Sequence, residues 1–217
     1  TDHGVMYGAV DFYRACKAEG IHPIIGCEMY VARRTRFDKQ HEFDTESRHL
    51  VLLCKNETGY RNLSYMVSQA YIEGFYIKPR IDMELLRQHS EGLIALSACL
   101  AGEIPRRLMN GEYEGAKAHA LEMRDIFGED YYLELQDHGI PEQTEVNRGI
   151  LRLHNETGIP MVCTNDAHYL RKEDAESHDV LLCIQTGKTV DDENRMRYEP
   201  RNFYIRSTEE MEELFAG

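Results

Sequence analysis

The same short pattern occurs three times in the chain: a glycine, then a run of apolar residues, then a polar or sulfur-bearing residue. The three copies cover residues 19–28, 91–99 and 157–166, and they end at Glu28, Cys99 and Asp166. Glycine commonly follows the last turn of a helix. A short continuous apolar run is typical of a strand buried on both faces of a parallel sheet. The pattern therefore predicts buried parallel strands whose carboxyl ends carry reactive side chains.

Segments with helical periodicity alternate with these runs. They cover residues 7–19, 59–73, 113–127, 142–157 and 172–184. In the first of them, Ala9, Phe12, Tyr13 and Cys16 fall on one face. Amphipathic helices that alternate with buried strands indicate an α/β fold. Polar strand ends favour a barrel, because barrel sites lie at the carboxyl ends of the strands. An open doubly wound sheet is the alternative, although its glycine-rich phosphate fingerprint is absent from the sequence.

The remaining segments are polar. Residues 33–48 and 187–201 carry many charges and predict surface loops. Residues 207–210 read Ser-Thr-Glu-Glu, a capping box that predicts the start of a helix. With 217 residues, the chain is long enough for one domain with a small appendage.

Composition excludes several classes of protein. The chain has 25 Lys and Arg against 38 Asp and Glu, a net charge of −13, so it is a poor stand-alone binder of duplex nucleic acid. The sequence contains neither a transmembrane span nor a signal peptide. The six cysteines are scattered without a CxxC pair, which predicts reduced thiols and a cytoplasmic location.

Histidines, acids and one cysteine near the predicted strands form a candidate metal site. The candidates are His3, Glu28, His49, Cys99, Asp166 and His168. Imidazole, carboxylate and thiolate are the ligands that divalent transition metals use in proteins. Asp166 and His168 are two residues apart, so in a strand both would point to the same face.

Each candidate also has a purely structural interpretation. Glu28 could cap a segment or pair with an arginine, Cys99 could be a small core residue, and His49 could be a strand-edge histidine, since it begins its apolar run instead of ending it. Glu134 and His138 follow another apparent strand and could line the mouth of the site. The other histidines are interpreted as surface or structural residues: His22, His41, His89, His119, His154 and His178.

Five motifs stand in an order that closely resembles the PHP (polymerase and histidinol phosphatase) domain of the bacterial DNA polymerase III alpha subunit. They are TDHG at residues 1–4, PIIGCE at 23–28, SACLAGEI at 97–104, LELQDHG at 133–139 and TNDAHY at 164–169. Residues 181–188 (LLCIQTGK) also resemble this polymerase subunit rather than a free-standing PHP enzyme. The resemblance covers essentially the whole chain.

The resemblance implies a distorted TIM-like (β/α)7 barrel that lacks its first strand here. It implies a PHP domain over residues 1–206, with residues 207–217 beginning the connection to the palm and thumb of a polymerase. It implies metal ligands at the six positions named above, with catalytic roles for Glu28, Asp166 and His168. The thiolate of Cys99 favours Zn²⁺, and Mn²⁺ or Mg²⁺ are alternatives.

The function implied is a metal-dependent 3′–5′ exonuclease that proofreads within a replicative DNA polymerase. A structural scaffold of the replicase and a stand-alone histidinol-phosphatase-like phosphoesterase are the alternatives. The implied partners are the DNA primer 3′ end, the sliding clamp and an exonuclease subunit. No membrane is expected among the partners. The family's first His-x-His motif would lie before Thr1, so we expect at most one well-occupied metal and little exonuclease activity in this chain alone.

Overall fold

The computed structural model describes residues 1–216. Its strands are β1 (Asp2–His3), β2 (Gly26–Ala32), β3 (Ser47–Cys54), β4 (Arg80–Ile81), β5 (Leu93–Leu96), β6 (Tyr131–Leu135) and β7 (Met161–Cys163). Its helices are α1 (Ala9–Ala18), α2 (His41–Asp44), α3 (Glu57–Ile72), α4 (Met83–Gln88), α5 (Glu103–Met109), α6 (Tyr113–Phe127), α7 (Pro141–Thr157), α8 (Ala175–Thr186) and α9 (Thr208–Leu214), with short 3-10 helices at Gly128–Asp130 and Lys172–Asp174. Helices and strands alternate along the chain, as in other α/β folds.

The strands form one seven-stranded sheet in the order β1-β2-β3-β5-β6-β7, with β4 paired beside β2. The pairings β1–β2, β2–β4, β5–β6 and β6–β7 are parallel. β1 and β7 lie at the two ends of this order and do not pair with each other within residues 1–216. The α/β class is therefore confirmed, whereas closure into a seven-stranded barrel and the lack of a first strand stay predictions.

The third strand departs from the purely parallel sheet that the sequence predicts. β3 runs antiparallel to both of its neighbours, β2 and β5. Val51 lies opposite Glu28 on one side and opposite Leu96 on the other, so the beginning of β3 lies beside the carboxyl end of β5. This direction explains why His49, at the beginning of its apolar run, is nevertheless close to Cys99.

All three predicted strand ends are wrong in detail, since β5 ends at Leu96, three residues before Cys99. β2 begins two residues before Glu28 and continues four residues beyond it, so Glu28 lies within the strand. β7 ends three residues before Asp166, which has a φ of 44° in an irregular segment. Asp166 and His168 therefore do not share the face of a strand. An apolar run indicates burial, but pairing with neighbouring strands decides where a strand begins and ends.

The two faces of the sheet differ in what covers them. One face packs against the helices in the main core, which includes Met29, Leu52, Leu93, Leu133, Leu63, Met66, Met123 and Ile150. The other face carries a small cluster formed by Val51, Leu96 and Ala98. Because side chains alternate along a strand, the residues in register with Val51 point toward this second face, and the candidate ligands lie there.

Most helix predictions are confirmed to within two or three residues, and α6 has the predicted bounds. Gly128, with a φ of 60°, ends α6 in a backbone conformation that glycine adopts without strain. The predicted apolar face of α1 is the exception, because no residue of α1 is buried and Phe12 and Tyr13 are about half exposed. Ala9 and Cys16 on the same face are only partly buried.

The polar segments are partly as predicted. Residues 187–201 contain no helix or strand, whereas residues 33–48 contain α2 and the beginning of β3. The predicted capping box is confirmed, since the Ser207 hydroxyl accepts the Glu210 N–H and the Glu210 carboxylate accepts the Ser207 N–H. Phe215, after α9, packs against the main core. Residue 217, the end of the predicted connecting segment, lies outside the described residues.

Candidate metal centre

Glu28 is the carboxylate at the middle of the candidate site. It is buried on β2, and β1 places His3 directly opposite it. On the other side, β3 places Val51 opposite Glu28, and His49 lies two residues from Val51 on the same face. The strand register therefore turns His3 and His49 toward one carboxylate.

Both imidazoles approach the same oxygen. Nε2 of His3 lies 3.1 Å from Oε1 of Glu28, and Nδ1 of His49 lies 2.6 Å from it. Both are ion-pair contacts, and no donor within residues 1–216 makes a hydrogen bond of regular geometry to this buried oxygen. Burial alone would raise the pKa of Glu28, but the two imidazoles outweigh it and lower the pKa to about 2. An ionised, buried carboxylate beside two nitrogen donors is an arrangement that a divalent cation satisfies.

A sulfur donor comes to the same place from β5. Cys99 follows the strand after a turn in which Ala98 has a φ of 64°, and its Sγ lies 3.5 Å from Nδ1 of His49. One ligand atom each from Glu28, His49 and Cys99 lie within 4.8 Å of one another, and we call these residues the three-ligand group. Burial raises the pKa of the Cys99 thiol, so the sulfur keeps its proton at neutral pH until a cation displaces it.

Asp166 and His168 approach from the segment after β7. Oδ1 of Asp166 lies 3.7 Å from Nε2 of His168. The ring of His168 lies 6.0 Å from that of His3, which in turn lies 6.1 Å from that of His49. His3 therefore stands between this pair and the three-ligand group. A cavity of about 280 Å³ is lined by His3, Glu28, Asp166 and His168.

The structure thus brings all six predicted ligands into one region, although their role as ligands stays a prediction. The structural interpretations of three of them lose support. Glu28 caps no helix and pairs with no arginine in the part of the chain that the structure describes. Cys99 contacts His49 instead of lying among apolar residues alone, and the side chain of His49 points toward Glu28.

Of the two further residues considered from the sequence, Glu134 lines the cavity and His138 does not. Burial raises the pKa of Glu134 to about 6, with a further contribution from the charge of Asp166. One Glu134 oxygen accepts hydrogen bonds from Gln136 and Thr164, and the other has no partner among the described residues. His138 instead stacks on Phe203 at 4.0 Å, so its role is structural.

Several aromatic residues near the site are not predicted from the sequence. Tyr198 packs against His168 with ring centroids 4.6 Å apart, and burial raises its pKa to about 12. His178, interpreted from the sequence as a surface or structural residue, lies 5.8 Å from His168. Tyr30 lies 5.2 Å from His49. None of these residues has a local signal, because long-range folding brings them to the site.

A larger cavity, of about 380 Å³, has a different lining. It includes Arg48 and Arg107, and both pair with Glu103 at its edge. Of the six predicted ligands, only His49 lines it. Its lining has four arginines against three glutamates, whereas no lysine or arginine lines the smaller cavity, which is therefore the better candidate for metal chemistry.

The donors of the three-ligand group fit Zn²⁺ best. Nitrogen, oxygen and thiolate sulfur together are typical of zinc, whereas Mg²⁺ prefers oxygen alone. The buried Glu28 oxygen without a hydrogen-bond partner is the observation that supports a cation here. Three protein ligands would leave a fourth position open, as in catalytic zinc sites.

The sequence was compared with known proteins. The family model described as the PHP domain matches residues 1–138. The chain belongs to the PHP domain family. It is 51% identical over 217 residues to the DNA polymerase III subunit alpha of Treponema pallidum (strain Nichols), with 99% of the chain and 18% of that protein covered. The same subunit of Borreliella burgdorferi is 48% identical, covering 99% of the chain and 19% of that protein. That of Thermus aquaticus is 49% identical, covering 97% and 18%.

This PHP domain chain therefore spans less than a fifth of the length of these relatives. The relatives match across nearly the whole chain, including the segment with Asp166 and His168 beyond residue 138. Among residues 1–216, no helix has both the length and the apolar character needed to cross a membrane.

Proposed function

We propose that the chain is the metal-dependent phosphoesterase module of a bacterial replicative DNA polymerase. In the full-length protein this module would remove nucleotides from DNA 3′ ends, whereas this chain alone would have little exonuclease activity. The observation that carries this proposal is the meeting of Glu28, His49 and Cys99 within 4.8 Å, next to a cavity also lined by Asp166 and His168. Oxygen, nitrogen and sulfur donors around an open cavity suit hydrolysis at a metal centre. The polymerase subunits among the relatives support DNA as the substrate.

We propose Zn²⁺ for the three-ligand group, with Mn²⁺ or Mg²⁺ as alternatives at His3, Asp166 and His168. A bound divalent cation supplies a coordinated water of near-neutral pKa and stabilises charge on the leaving oxygen.

The chain's own residues have separate roles in this proposal. Glu28 is ionised and buried, so it supplies fixed negative charge at the centre. Asp166 and His168 also line the cavity and would be metal ligands there, so that a bound cation would attract the scissile phosphate. His3 lies between this pair and the three-ligand group and keeps the Glu28 carboxylate in place.

The biological setting is also a proposal. Because the relatives are polymerase subunits, we place the chain in the cytoplasm at replicating DNA, with the primer 3′ end, the sliding clamp and an exonuclease subunit as partners. With a net charge of −13, the chain would receive DNA that other parts of the replicase position. We place the domain boundary at residue 206.

A scaffold role is the second candidate, and one observation favours it. Leu181 and Ile184 on α8 are 61% and 72% exposed, and exposed apolar surface of this kind is common where another protein surface packs. A stand-alone phosphatase is less favoured, because the polymerase relatives match 97–99% of the chain at 48–51% identity.

The test is removal of a mismatched primer 3′ end by the full-length protein in Zn²⁺ or Mn²⁺. Asp166→Asn should lower the rate by more than about 100-fold, because changes outside the direct ligands already cost 10–100-fold. Polymerisation should be retained. The control is Asp125→Asn, the same change at an exposed position of α6.

Three outcomes separate the candidates. Loss of mismatch removal in Asp166→Asn alone supports the exonuclease. Equal mismatch removal by Asp166→Asn and by the unmodified protein favours the scaffold. Faster hydrolysis of p-nitrophenyl phosphate than of the DNA end favours the phosphatase.

A further inference from the structure

A strained turn lies at the rim of the candidate metal centre. Ile77 has a φ of 64°, which a β-branched residue rarely adopts. Its side chain is 56% exposed, so burial of an apolar group does not compensate for this strain. Backbone strain of this kind costs about 1–3 kcal/mol and persists only where the surrounding structure holds it.

Buried contacts hold the turn at both ends. Gly74 and Arg80 approach so closely that a Cβ on Gly74 would lie 1.8 Å from the Arg80 carbonyl oxygen. The buried Arg80 guanidinium donates to the Gly74 carbonyl and also to the carbonyls of Asp44 and Asp38. The Tyr76 N–H donates to the Lys78 carbonyl at 3.0 Å, which closes the turn across the strained residue.

The turn places Lys78 next to the site. Nζ of Lys78 lies 5.3 Å from the ring centroid of Tyr30, and the Tyr30 ring lies 5.2 Å from that of His49. Glu28 raises the pKa of His3, and Lys78 is close enough to lower it in turn. The ring of Tyr30 therefore lies between the ammonium group of Lys78 and the three-ligand group, and Lys78 is too far away to be a ligand itself.

Lys78, like several other basic residues, has no carboxylate partner within residues 1–216 that would compete with a ligand. It is exposed and forms no ion pair among the residues that the structure describes, although acids outnumber basic residues in the chain. No lysine or arginine lines the cavity of about 280 Å³. The charge of Lys78 acts on His3, which lines this cavity, so an anionic substrate that enters on the His3 side would meet the ammonium group of Lys78.

We propose that Lys78 is a substrate-binding residue whose ammonium group holds the phosphodiester next to the scissile one in single-stranded DNA. This inference rests on the proposed function. Phosphate contacts from lysine position a nucleic acid without reading its sequence, and Tyr30 beside Lys78 keeps the cation at the rim by a cation–π contact. The strained turn at Ile77 fixes the backbone of Lys78 at the rim of the site.

The test compares Lys78→Met with Lys78→Arg in the full-length protein. The substrates are a single-stranded oligothymidylate, which has neighbouring phosphates, and the p-nitrophenyl ester of thymidine 5′-monophosphate, which has only the scissile phosphate. Lys78→Met should raise KM for the oligothymidylate by about three- to tenfold, as expected for one partly exposed ion pair. It should leave kcat and Zn²⁺ content unchanged, and Lys78→Arg should restore KM.

Salt dependence gives a second readout. The slope of log(kcat/KM) against log salt should become shallower by about 0.7 for the oligothymidylate, the value for one phosphate contact on a single strand. The monophosphate ester should show no change. The matched control is Lys17→Met, because Lys17 is also an exposed lysine beside a tyrosine ring, at 5.9 Å from Tyr13 on α1.

The outcomes separate this inference from the proposed function. If Lys78→Met and Lys17→Met behave alike on the oligothymidylate, Lys78 binds no phosphate and the inference is wrong while the exonuclease stands. An equal KM rise on both substrates would place Lys78 at the scissile phosphate and would also overturn it. If the unmodified protein cleaves neither substrate, the proposed function and this inference fail together.

Discussion

His49 and Glu28 are two residues out of register on neighbouring antiparallel strands, and yet Nδ1 of His49 lies 2.6 Å from Oε1 of Glu28. Diagonal neighbours on one face of a sheet are within reach of long side chains. This Glu28 oxygen has no hydrogen-bond partner of regular geometry within residues 1–216. The two atoms are therefore close enough to be ligands of one cation.

Glu28→Gln should weaken Zn²⁺ binding by at least about 100-fold, because it removes the buried negative charge of the three-ligand group. In the unmodified chain, Zn²⁺ at 100 times its Kd should raise the free energy of unfolding by about 2.7 kcal/mol. At the same Zn²⁺ concentration, the increase in Glu28→Gln should fall to about 0.4 kcal/mol or less. Urea unfolding with and without Zn²⁺ measures both. Glu91→Gln, at an exposed position, should behave like the unmodified chain; an unchanged zinc effect in Glu28→Gln would exclude Glu28 as a ligand.

Zn²⁺ binding should release about one proton near neutral pH from Cys99, because burial raises the pKa of this thiol and a bound sulfur is a thiolate. Affinity for Zn²⁺ should therefore increase as the pH rises. Cys99→Ser should lower both the affinity and the number of protons released. Titration calorimetry in buffers of different ionisation enthalpy measures that number. Equal proton release by Cys99→Ser and the unmodified chain would show that the thiol is not the group displaced.

Local features of the site and fold are predictable from the sequence. The bounds of α6 and the capping box of α9 follow from residues within one or two turns, such as Gly128 and Ser207. The six candidate ligands are recognisable because acids, histidines and a cysteine beside apolar runs are unusual. Their residue types and motif order carry the prediction.

Long-range pairing accounts for what the sequence does not predict. The direction of β3, which brings His49 to Cys99, depends on pairing with β2 and β5 and has no local signal. The same holds for Tyr198 and Lys78, which come from loops far along the chain from Glu28. The exposed face of α1 is an error of the opposite kind. Apolar spacing predicts that a helix has an apolar face, but it does not predict which part of the chain, if any, packs against that face.

Glu134→Gln should change how the stability of the metal-free chain depends on pH. The pKa of Glu134 is raised from 4.5 to about 6, so the folded chain holds this proton more tightly than the unfolded chain does. The stability it contributes is full below pH 4.5 and is lost as the pH rises through about 6, a loss of about 2 kcal/mol. Between pH 4.5 and about pH 8, Glu134→Gln should therefore gain about 2 kcal/mol relative to the unmodified chain. Urea unfolding in a chelator at both pH values measures this, with Glu145→Gln on the exposed surface of α7 as the control. If Glu134→Gln shows no such gain in its free energy of unfolding, the Glu134 carboxyl is ionised in the folded chain at little cost in stability.

Ile77→Gly should separate the strain of the turn from its function. Glycine adopts a φ of 64° without a steric penalty, which recovers about 1–3 kcal/mol of strain, but it costs about 0.5–1 kcal/mol in chain entropy. The free energy of unfolding should therefore stay the same or rise by about 1–2 kcal/mol. The rim should become more mobile, so KM for single-stranded DNA should rise while Zn²⁺ affinity stays constant. Urea unfolding and exonuclease kinetics of the same preparation measure both effects. Ile72→Gly, at the last residue of α3 and 74% exposed, is the control and should lower stability by at most about 0.5 kcal/mol without changing KM. A clear loss of stability in Ile77→Gly would show that the isoleucine is not strained and that the turn is held for packing alone.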